Sequence, residues 1–285
     1  MRPSKTASNR ERDCALPELP EAETIARDLD RAVAGATIVG VDVRLRRIVV
    51  ASPGKNFAKA LIGERIASVA RRGKYVVLNL GSGLRVVTGL RMTGRLLVRH
   101  TEEAEPPGAH VVLRLEDGRA LCFADVRTLG RMRLVERGEA WDEALGAEPL
   151  DAGFTVESFI GMLAGRTTPV KVLLLDQRRI AGIGNIYACE ALWKAGIRPS
   201  RPSRALTKPA ARRLHCAVVE VLTRAIELRG SSIDDYVDAG GRKGGFQNVL
   251  AVYGRRGRPC PRCARPIVRT VLAQRGTWWC RSCQR

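Results

Sequence analysis

The chain has 285 residues, of which 45% are hydrophobic and 27% are charged, a balance typical of a globular protein with more than one domain. Its 49 lysine and arginine residues outnumber 29 aspartate and glutamate residues, so we expect a polyanionic partner, nucleic acid before an anionic membrane. A genome in which arginine is abundant would be the alternative explanation. No apolar run approaches the roughly 18 residues of a membrane span and no secretory signal is present, so we expect a cytoplasmic protein.

The first predicted element follows a segment without hydrophobic periodicity. We interpret residues 1–16 as a disordered extension or a misassigned start. A helix is predicted over residues 20–34, because apolar residues recur there at helical spacing and acidic residues stand in its first turn. Alternating apolar residues and turn sequences such as Asp117-Gly118 then predict a β-sandwich or barrel over residues 35–135.

Helices replace strands after an acidic, glycine-containing linker at residues 136–152. Hydrophobic periodicity predicts four helices, over residues 155–165, 169–176, 186–195 and 207–228. Gly182 and Gly184 precede Asn185 where the third of these begins, and a glycine turn before a helix N-terminus can cradle a phosphate group. This motif is weak evidence alone, because most glycine-rich turns before helices are only turns.

The strongest single motif is a cysteine pattern at the end of the chain. Two CxxC pairs, Cys260 with Cys263 and Cys280 with Cys283, are separated by sixteen residues. This spacing predicts a zinc ribbon, because each pair presents two thiolates on one tight turn and two turns complete a tetrahedron. Two disulfides are the alternative, which the lack of a secretion signal disfavours. We expect one structural Zn²⁺ per chain and no organic cofactor.

Six segments in order resemble the formamidopyrimidine-DNA glycosylase branch of the Fpg/Nei family: PELPEAET, RRGKY, LRMTG, DVRTLG, GIGNIYACE and QRGTWWC. The resemblance runs from Pro17 to the end of the chain. It implies an α+β multidomain fold, with an N-terminal two-layer β-sandwich and flanking helix over residues 17–147. A helical helix–two-turn–helix DNA-binding domain over residues 148–250 and a zinc finger over residues 251–285 complete this fold.

The resemblance also implies an activity. The family consists of bifunctional base-excision-repair enzymes, DNA glycosylases that are also AP lyases. They remove oxidised purines, 8-oxoguanine and formamidopyrimidines, from double-stranded DNA and cleave the strand by β,δ-elimination. We therefore expect a DNA-repair enzyme of bacterial type, a monomer that associates with the nucleoid through DNA. The preferred oxidised base is not specified by any motif.

Site residues follow from the same resemblance. Pro17 matches the catalytic N-terminal proline and Glu18 the acid/base, and Lys74 and Arg275 complete the catalytic set. The DNA-binding positions implied are Lys74, Met92, His110, Arg127, Leu129, Asn185, Tyr253 and Arg275. Among these, Lys74, Asn185 and Arg275 match phosphate contacts, although RRGKY alone indicates only a solvated basic edge strand that starts at Lys74.

Three further positions match residues that act on the opened duplex. Met92 matches the residue that fills the gap left by the flipped base, and Arg127 matches the arginine that reads the orphaned cytosine. Leu129 stands where the family has an intercalating phenylalanine. Leucine can still wedge but stacks less well, so this position leaves the search for lesions and the choice of opposite base undetermined.

The N-terminus departs from the family pattern. A proline that begins a chain has a free secondary amine, whose adduct with an aldehyde is a cationic iminium that promotes elimination. A proline inside a chain is an amide and cannot be the nucleophile. We therefore hypothesise that the natural chain begins at Pro17. The alternative is an inactive lesion-binding or structural DNA-binding zinc protein, in which the extension stays attached.

Overall fold

The computed structural model describes residues 17–233 and 235–285, so the expectation for residues 1–16 lies outside the described residues. The helices are α1 Leu19–Val33, α2 Phe57–Leu61, α3 Val156–Leu163, α4 Val170–Leu175, α5 Asn185–Ala195 and α6 Lys208–Glu227. The strands are β1 Ile38–Val43, β2 Val49–Val50, β3 Ile66–Arg72, β4 Tyr75–Leu80, β5 Arg85–Gly89, β6 Gly94–His100, β7 Ala109–Leu115, β8 Arg119–Asp125, β9 Arg131–Val135, β10 Val268–Leu272 and β11 Arg275–Trp279.

The chain forms two compact units. In the described part of the chain, the sandwich unit contains residues 17–144 together with Ile226–Gln247. The helical unit contains Leu145–Ala225 and Asn248–Arg285. The predicted domain boundaries after residues 147 and 250 remain a prediction. The compact units differ from the predicted domains because Ile226–Gln247 belongs to the sandwich unit.

Two antiparallel-rich sheets build the sandwich unit. One has the strand order β1-β7-β8-β6 and the other β2-β9-β5-β4-β3, in which only the β2–β9 pair is parallel. Apolar residues from both sheets and from α1 share one buried core, which includes Ile25, Leu29, Leu78, Val86, Val111, Phe123 and Leu134. The predicted β-sandwich with a flanking helix is confirmed. The helix predicted over residues 20–34 begins and ends one residue earlier.

The segment Ile226–Gln247 completes this core from a distant part of the sequence. Tyr236 and Ala239 are buried among the sandwich residues, and Val98 N donates to Ala239 O at 3.1 Å. The guanidinium of Arg229 pairs with Asp28 on α1 and with Asp238. Because these contacts lie far apart in sequence, hydrophobic periodicity could not predict them.

The helical unit contains the four predicted helices. Their observed bounds differ from the predicted ones by no more than two residues at either end. In α6, Leu214, Val218, Val221 and Ala225 are buried at i, i+4, i+7 and i+11, as the helical spacing requires. The β10–β11 hairpin lies between the two cysteine pairs. Among residues 17–233 and 235–285, every helix is too short or too polar to cross a membrane.

Candidate nucleic-acid interface and metal centre

The turn that carries Lys74 is anchored by the arginines before it. Arg71 Nε lies 2.7 Å from Glu23 Oε2 on α1, and Arg72 Nε lies 2.7 Å from Asp142 Oδ2. Gly73 has φ 58°, which favours glycine, and Lys74 occupies the turn one residue before β4. Lys74 was predicted to start the strand itself, and the register Arg72–Tyr75 makes it a turn residue instead.

The Glu23 carboxyl is held ionised by this arrangement. Burial alone would raise its pKa, but the hydrogen bonds and charges of Arg71 and Arg27 together hold the pKa below its ordinary value. The Arg71 side chain is only 7% exposed, so this is not an ordinary surface ion pair. The helix α1 and the Lys74 turn are therefore fixed to each other.

The backbone at the start of α1 is fixed by a second carboxylate. Glu18 is the N-cap residue, and its N–H donates to Glu21 Oε2 at 2.8 Å. The other oxygen of Glu21 accepts from Ser231 N at 2.8 Å. Both glutamates are buried. Glu21 thus joins the Pro17–Glu18 start of the helix to the segment at Gly230–Ser231.

Met92 and Arg127 lie on neighbouring loops of the sandwich unit. Arg127 Nη1 approaches Met92 Sδ to 3.9 Å. Leu129 is 46% exposed and Arg127 is also exposed, so both side chains are available to a partner. The structure therefore brings together the three residues that resemblance assigned to the opened duplex.

Asp125 organises these two loops. Its buried carboxylate accepts from Thr93 Oγ1, from Arg127 N at 3.2 Å and from Gly130 N at 2.7 Å. His110 Nε2 donates to the Asp125 backbone oxygen at 3.0 Å, so His110 stands beside the same loop. Sequence reasoning missed Asp125, and its position inside DVRTLG was the available signal.

In the helical unit, Asn185 and the hairpin of Arg275 are in contact. Asn185 Nδ2 donates to Gly276 O at 3.1 Å, and Gly276 directly follows Arg275 at the start of β11. Lys171 is fully buried, and its Nζ donates to Gly276 O at 2.9 Å and to Thr277 Oγ1 at 2.7 Å. Sequence reasoning missed Lys171, although a lysine inside the apolar run VKVLLL was a signal.

Tyr253 is buried, and its ring centroid lies 4.4 Å from that of Trp278. Its backbone is held by Glu190, which accepts from Ala251 N, Val252 N and Tyr253 N at 2.8, 2.9 and 2.8 Å. Burial raises the pKa of the Glu190 carboxyl, and the three N–H groups oppose this. The ring of Tyr253 therefore packs within the fold, and its backbone N–H is already held by Glu190.

The four C-terminal cysteines form a metal centre. Their Sγ atoms all lie within 4.8 Å of one another, with 3.9 Å between Cys260 and Cys283 and 3.4 Å between Cys263 and Cys280. Zn–S bonds of about 2.3 Å in a tetrahedron separate sulfurs by about 3.8 Å, whereas a disulfide requires about 2.05 Å. The cluster therefore fits one zinc ion, and the disulfide alternative is excluded.

The zinc ligands are also supported from outside the cluster. Trp193 Nε1 donates to Cys260 Sγ at 3.4 Å, which orients that thiolate. The guanidinium of Arg262 stacks on the Trp193 ring at 4.2 Å. The ribbon is thus attached to α5 through an aromatic contact as well as through the chain itself.

Each compact unit holds part of the predicted site. The sandwich unit carries Pro17, Glu18, Lys74, Met92, His110, Arg127 and Leu129. The helical unit carries Asn185, Tyr253, Arg275 and the four cysteines.

Three family models match the chain. Residues 16–132 match the "Formamidopyrimidine-DNA glycosylase N-terminal domain", residues 145–237 match the "Formamidopyrimidine-DNA glycosylase H2TH domain", and residues 257–285 match the "Zinc finger found in FPG and IleRS". Together they span most of the sequence.

Curated relatives are similar over their whole length. A formamidopyrimidine-DNA glycosylase of Chloroflexus aggregans is 45% identical, with 94% of this chain and 98% of the relative covered. One of Heliobacterium modesticaldum is 45% identical, with 95% and 100% covered.

Solved structures agree with these relatives. The MutM (Fpg) protein from Thermus thermophilus has a TM-score of 0.84 at 43% identity, and the match covers 94% of this chain and 98% of that protein. Lactococcus lactis Fpg in complex with DNA containing an abasic site has a TM-score of 0.87 at 33% identity, with 94% and 99% covered.

Proposed function

This chain belongs to the formamidopyrimidine-DNA glycosylase family, and we propose on that premise that it excises oxidised purines from duplex DNA and then cleaves the strand as an AP lyase. Membership makes it a DNA glycosylase of base excision repair. The substrate class is supported by Lactococcus lactis Fpg, which has been solved with DNA containing Fapy-dG and with DNA containing an abasic site.

One observation carries the catalytic proposal. Pro17 and Glu18 stand at the start of α1, and Glu21 fixes the backbone there. The Pro17 nitrogen attacks the sugar C1′, the bond between C1′ and the base breaks, and the base leaves with the electron pair. Glu18 protonates the sugar ring oxygen as the ring opens to the iminium. The Glu18 carboxylate left by this step takes a proton from C2′, and the 3′-phosphate leaves with the electron pair of its C3′–O bond. A second elimination expels the 5′-phosphate.

The nucleophile must be a free amine. An α-amino group has a pKa of about 7.7–8.0, so a useful neutral fraction exists near pH 7 without special tuning. Pro17 in a chain with residues before it is an amide, which has no nucleophilic lone pair. The proposal therefore applies to the form of the protein that begins at Pro17.

The remaining residues are proposed to hold the DNA. Lys74, Asn185 and Arg275 contact backbone phosphates, and Tyr253 and the loop at His110 support this contact. The target base must leave the stack, at a cost of a few kcal/mol. Met92, Arg127 and Leu129 offset this cost, because they fill the gap and pair with the unpaired cytosine.

Borohydride trapping on a duplex containing 8-oxoguanine tests the proposal. With borohydride, the chain beginning at Pro17 should become covalently linked to DNA; without borohydride, it should leave a gap with phosphate at both ends. The chain beginning at Met1 should bind the same duplex without a covalent link from Pro17. If the natural form of the protein binds the duplex but gives no covalent link, the result would favour a lesion-binding protein that is catalytically inactive.

A variant separates the two chemical steps. In the short chain, Glu18→Gln should lower base excision steeply, because no proton reaches the sugar oxygen. A pre-formed abasic site should still be trapped to some extent, since its aldehyde needs no base departure. Equal trapping of both chain forms, with intact N-termini by mass spectrometry, would contradict the role of Pro17 and make Lys74 the first lysine to test.

A further inference from the structure

A cavity of about 350 Å³ lies within the helical unit, beside the tip of the β10–β11 hairpin. Three arginines line it, Arg166 before α4, Arg179 after α4 and Arg275 at the start of β11. Its volume lies at the lower end of the roughly 300–1,000 Å³ typical of ligand pockets. The proposed function uses Arg275 alone among these three cations.

The lining of the cavity is partly charged and partly apolar. One anionic side chain, Asp176, also lines the cavity, and its Oδ2 lies 3.2 Å from Arg179 Nε. Three positive charges therefore stand against one negative charge. Val172, Leu175 and Ala273 supply apolar wall. A ligand that fits must carry a negative charge next to a compact, partly apolar body.

The position of Arg179 is fixed by its backbone. Arg179 N donates to Asp176 O at 2.9 Å, and Arg179 O accepts from Ala147 N at 3.0 Å. A Cβ on Gly146 would lie 2.2 Å from the Arg179 carbonyl carbon, so only glycine allows this approach. The Arg179 side chain is 29% exposed, and its neighbour Arg178 is exposed and lies outside the cavity lining.

We propose that this cavity is a second subsite for the DNA backbone, which takes one sugar–phosphate unit. The phosphate lies on the guanidinium groups of Arg179 and Arg166, and the deoxyribose contacts the apolar wall. Arg275 lines the cavity and is also the proposed phosphate contact described above. The assignment rests on the proposed function to that extent, because both use the same DNA strand.

Salt dependence of binding to an undamaged duplex is the first test, since it requires neither a lesion nor Pro17. Arg179→Leu should reduce the slope of log K against log salt by about one and lower affinity roughly five- to tenfold at about 0.1 M salt. Arg179→Lys should keep the slope. Arg178→Leu removes the same charge from the adjacent residue and is the matched control.

A methylphosphonate scan identifies the phosphate. The duplex carries a tetrahydrofuran abasic analogue and one neutral methylphosphonate at a time. At one position the neutral phosphate should lower the DNA affinity of the wild-type protein but not lower that of Arg179→Leu any further. Arg178→Leu should lose affinity at that position as the wild-type protein does. Thermal unfolding checks that the variants fold. If Arg179→Leu is unstable, Arg179→Gln keeps a donor for Asp176 and should give the same loss of slope.

Two outcomes would overturn the subsite. In one, Arg179→Leu and Arg178→Leu have equal slopes of log K against log salt, and no neutral phosphate in the scan affects the wild-type protein more than Arg179→Leu. In the other, free 2′-deoxyribose 5-phosphate binds the wild-type protein but not Arg179→Leu, without any effect in the scan, so the cavity serves a small molecule. Absence of excision alongside a positive scan would instead reject the proposed function and leave this subsite standing.

Discussion

Arg71 Nε lies 2.7 Å from Glu23 Oε2, and this ion pair joins the hairpin turn of Lys74 to the helix that begins directly after Glu18. The two residues are separated by almost fifty positions in sequence, and the arginine is nearly buried. The relative placement of the proposed acid/base and the proposed phosphate contact is therefore supported by a carboxylate that has neither of those two roles.

Stability should fall in acid partly through this carboxylate. Because the folded-state pKa of Glu23 is lowered, its contribution is present above the unfolded pKa and is lost as pH falls through the folded value. Glu23→Gln should cost about 1–3 kcal/mol at pH 7 and much less at pH 3, measured by urea unfolding. Glu102→Gln, at an exposed position, is the control. An equal cost at both pH values would contradict the ion-pair account.

The fold of the zinc ribbon should require bound zinc, and DNA affinity should require the folded ribbon. Structural zinc contributes about 10–16 kcal/mol in small sites, more than so short a segment gains from its own packing. Native mass spectrometry should find one zinc per chain, and Cys263→Ser should lose both zinc and DNA affinity. Cys216→Ser, exposed on α6 and outside the cluster, should lose neither. A zinc-free protein with full affinity for DNA would refute this role.

The proposed phosphate contacts should differ in their dependence on salt. Lys74→Ala and Arg275→Ala should each shallow the salt slope by about one, because each removes one cation that displaces a counterion. Asn185 is neutral, so Asn185→Ala should weaken binding with little change in slope. Fluorescence anisotropy at several salt concentrations measures both quantities. An unchanged slope for Arg275→Ala would remove this residue from the set of contacts.

Asp125 should affect base flipping indirectly, because its carboxylate fixes the loops that carry Arg127 and Leu129. Asp125→Asn presents an amide N–H₂ where Gly130 N–H or Thr93 O–H now donates, so Arg127 and Leu129 lose their fixed position. Excision opposite cytosine should fall about tenfold and the preference for cytosine over adenine should shrink. Single-turnover rates measure this. A purely structural role would lower both rates equally and leave the preference unchanged.

Elements governed by local patterns were predictable. The five predicted helices followed from a 3.6-residue period and agree within two residues, whereas the five-residue α2 is too short to show a period and was missed. The sandwich followed from alternation and turn chemistry. The cysteine spacing alone indicated the metal centre, because two CxxC turns leave few other uses for four thiols. Each of these patterns lies within a short stretch of sequence, so it can be recognised without knowledge of the tertiary fold.

Buried polar residues with distant partners were not predictable. Lys171 and Gly276 are separated by 105 positions, and Glu190 accepts from backbone groups about sixty positions away. Neither side chain has a local pattern that indicates its partner, because the partner is a backbone group that any residue could supply. Such contacts depend on the tertiary fold, so sequence reasoning could propose the phosphate-contact residues but could not identify the side chains that hold their backbone.

The return of Ile226–Gln247 to the sandwich unit has a consequence during synthesis. A ribosome releases the strands of that unit long before it makes Tyr236, Ala239 and Arg229, which complete its core and pair with α1. The delay is roughly 100 residues, or about 5–20 s at 5–20 residues per second. During this interval the nascent sandwich lacks part of its apolar cover, so a chaperone that binds exposed apolar surface should associate with stalled chains ending near Ala144 more than with chains that extend past Gln247.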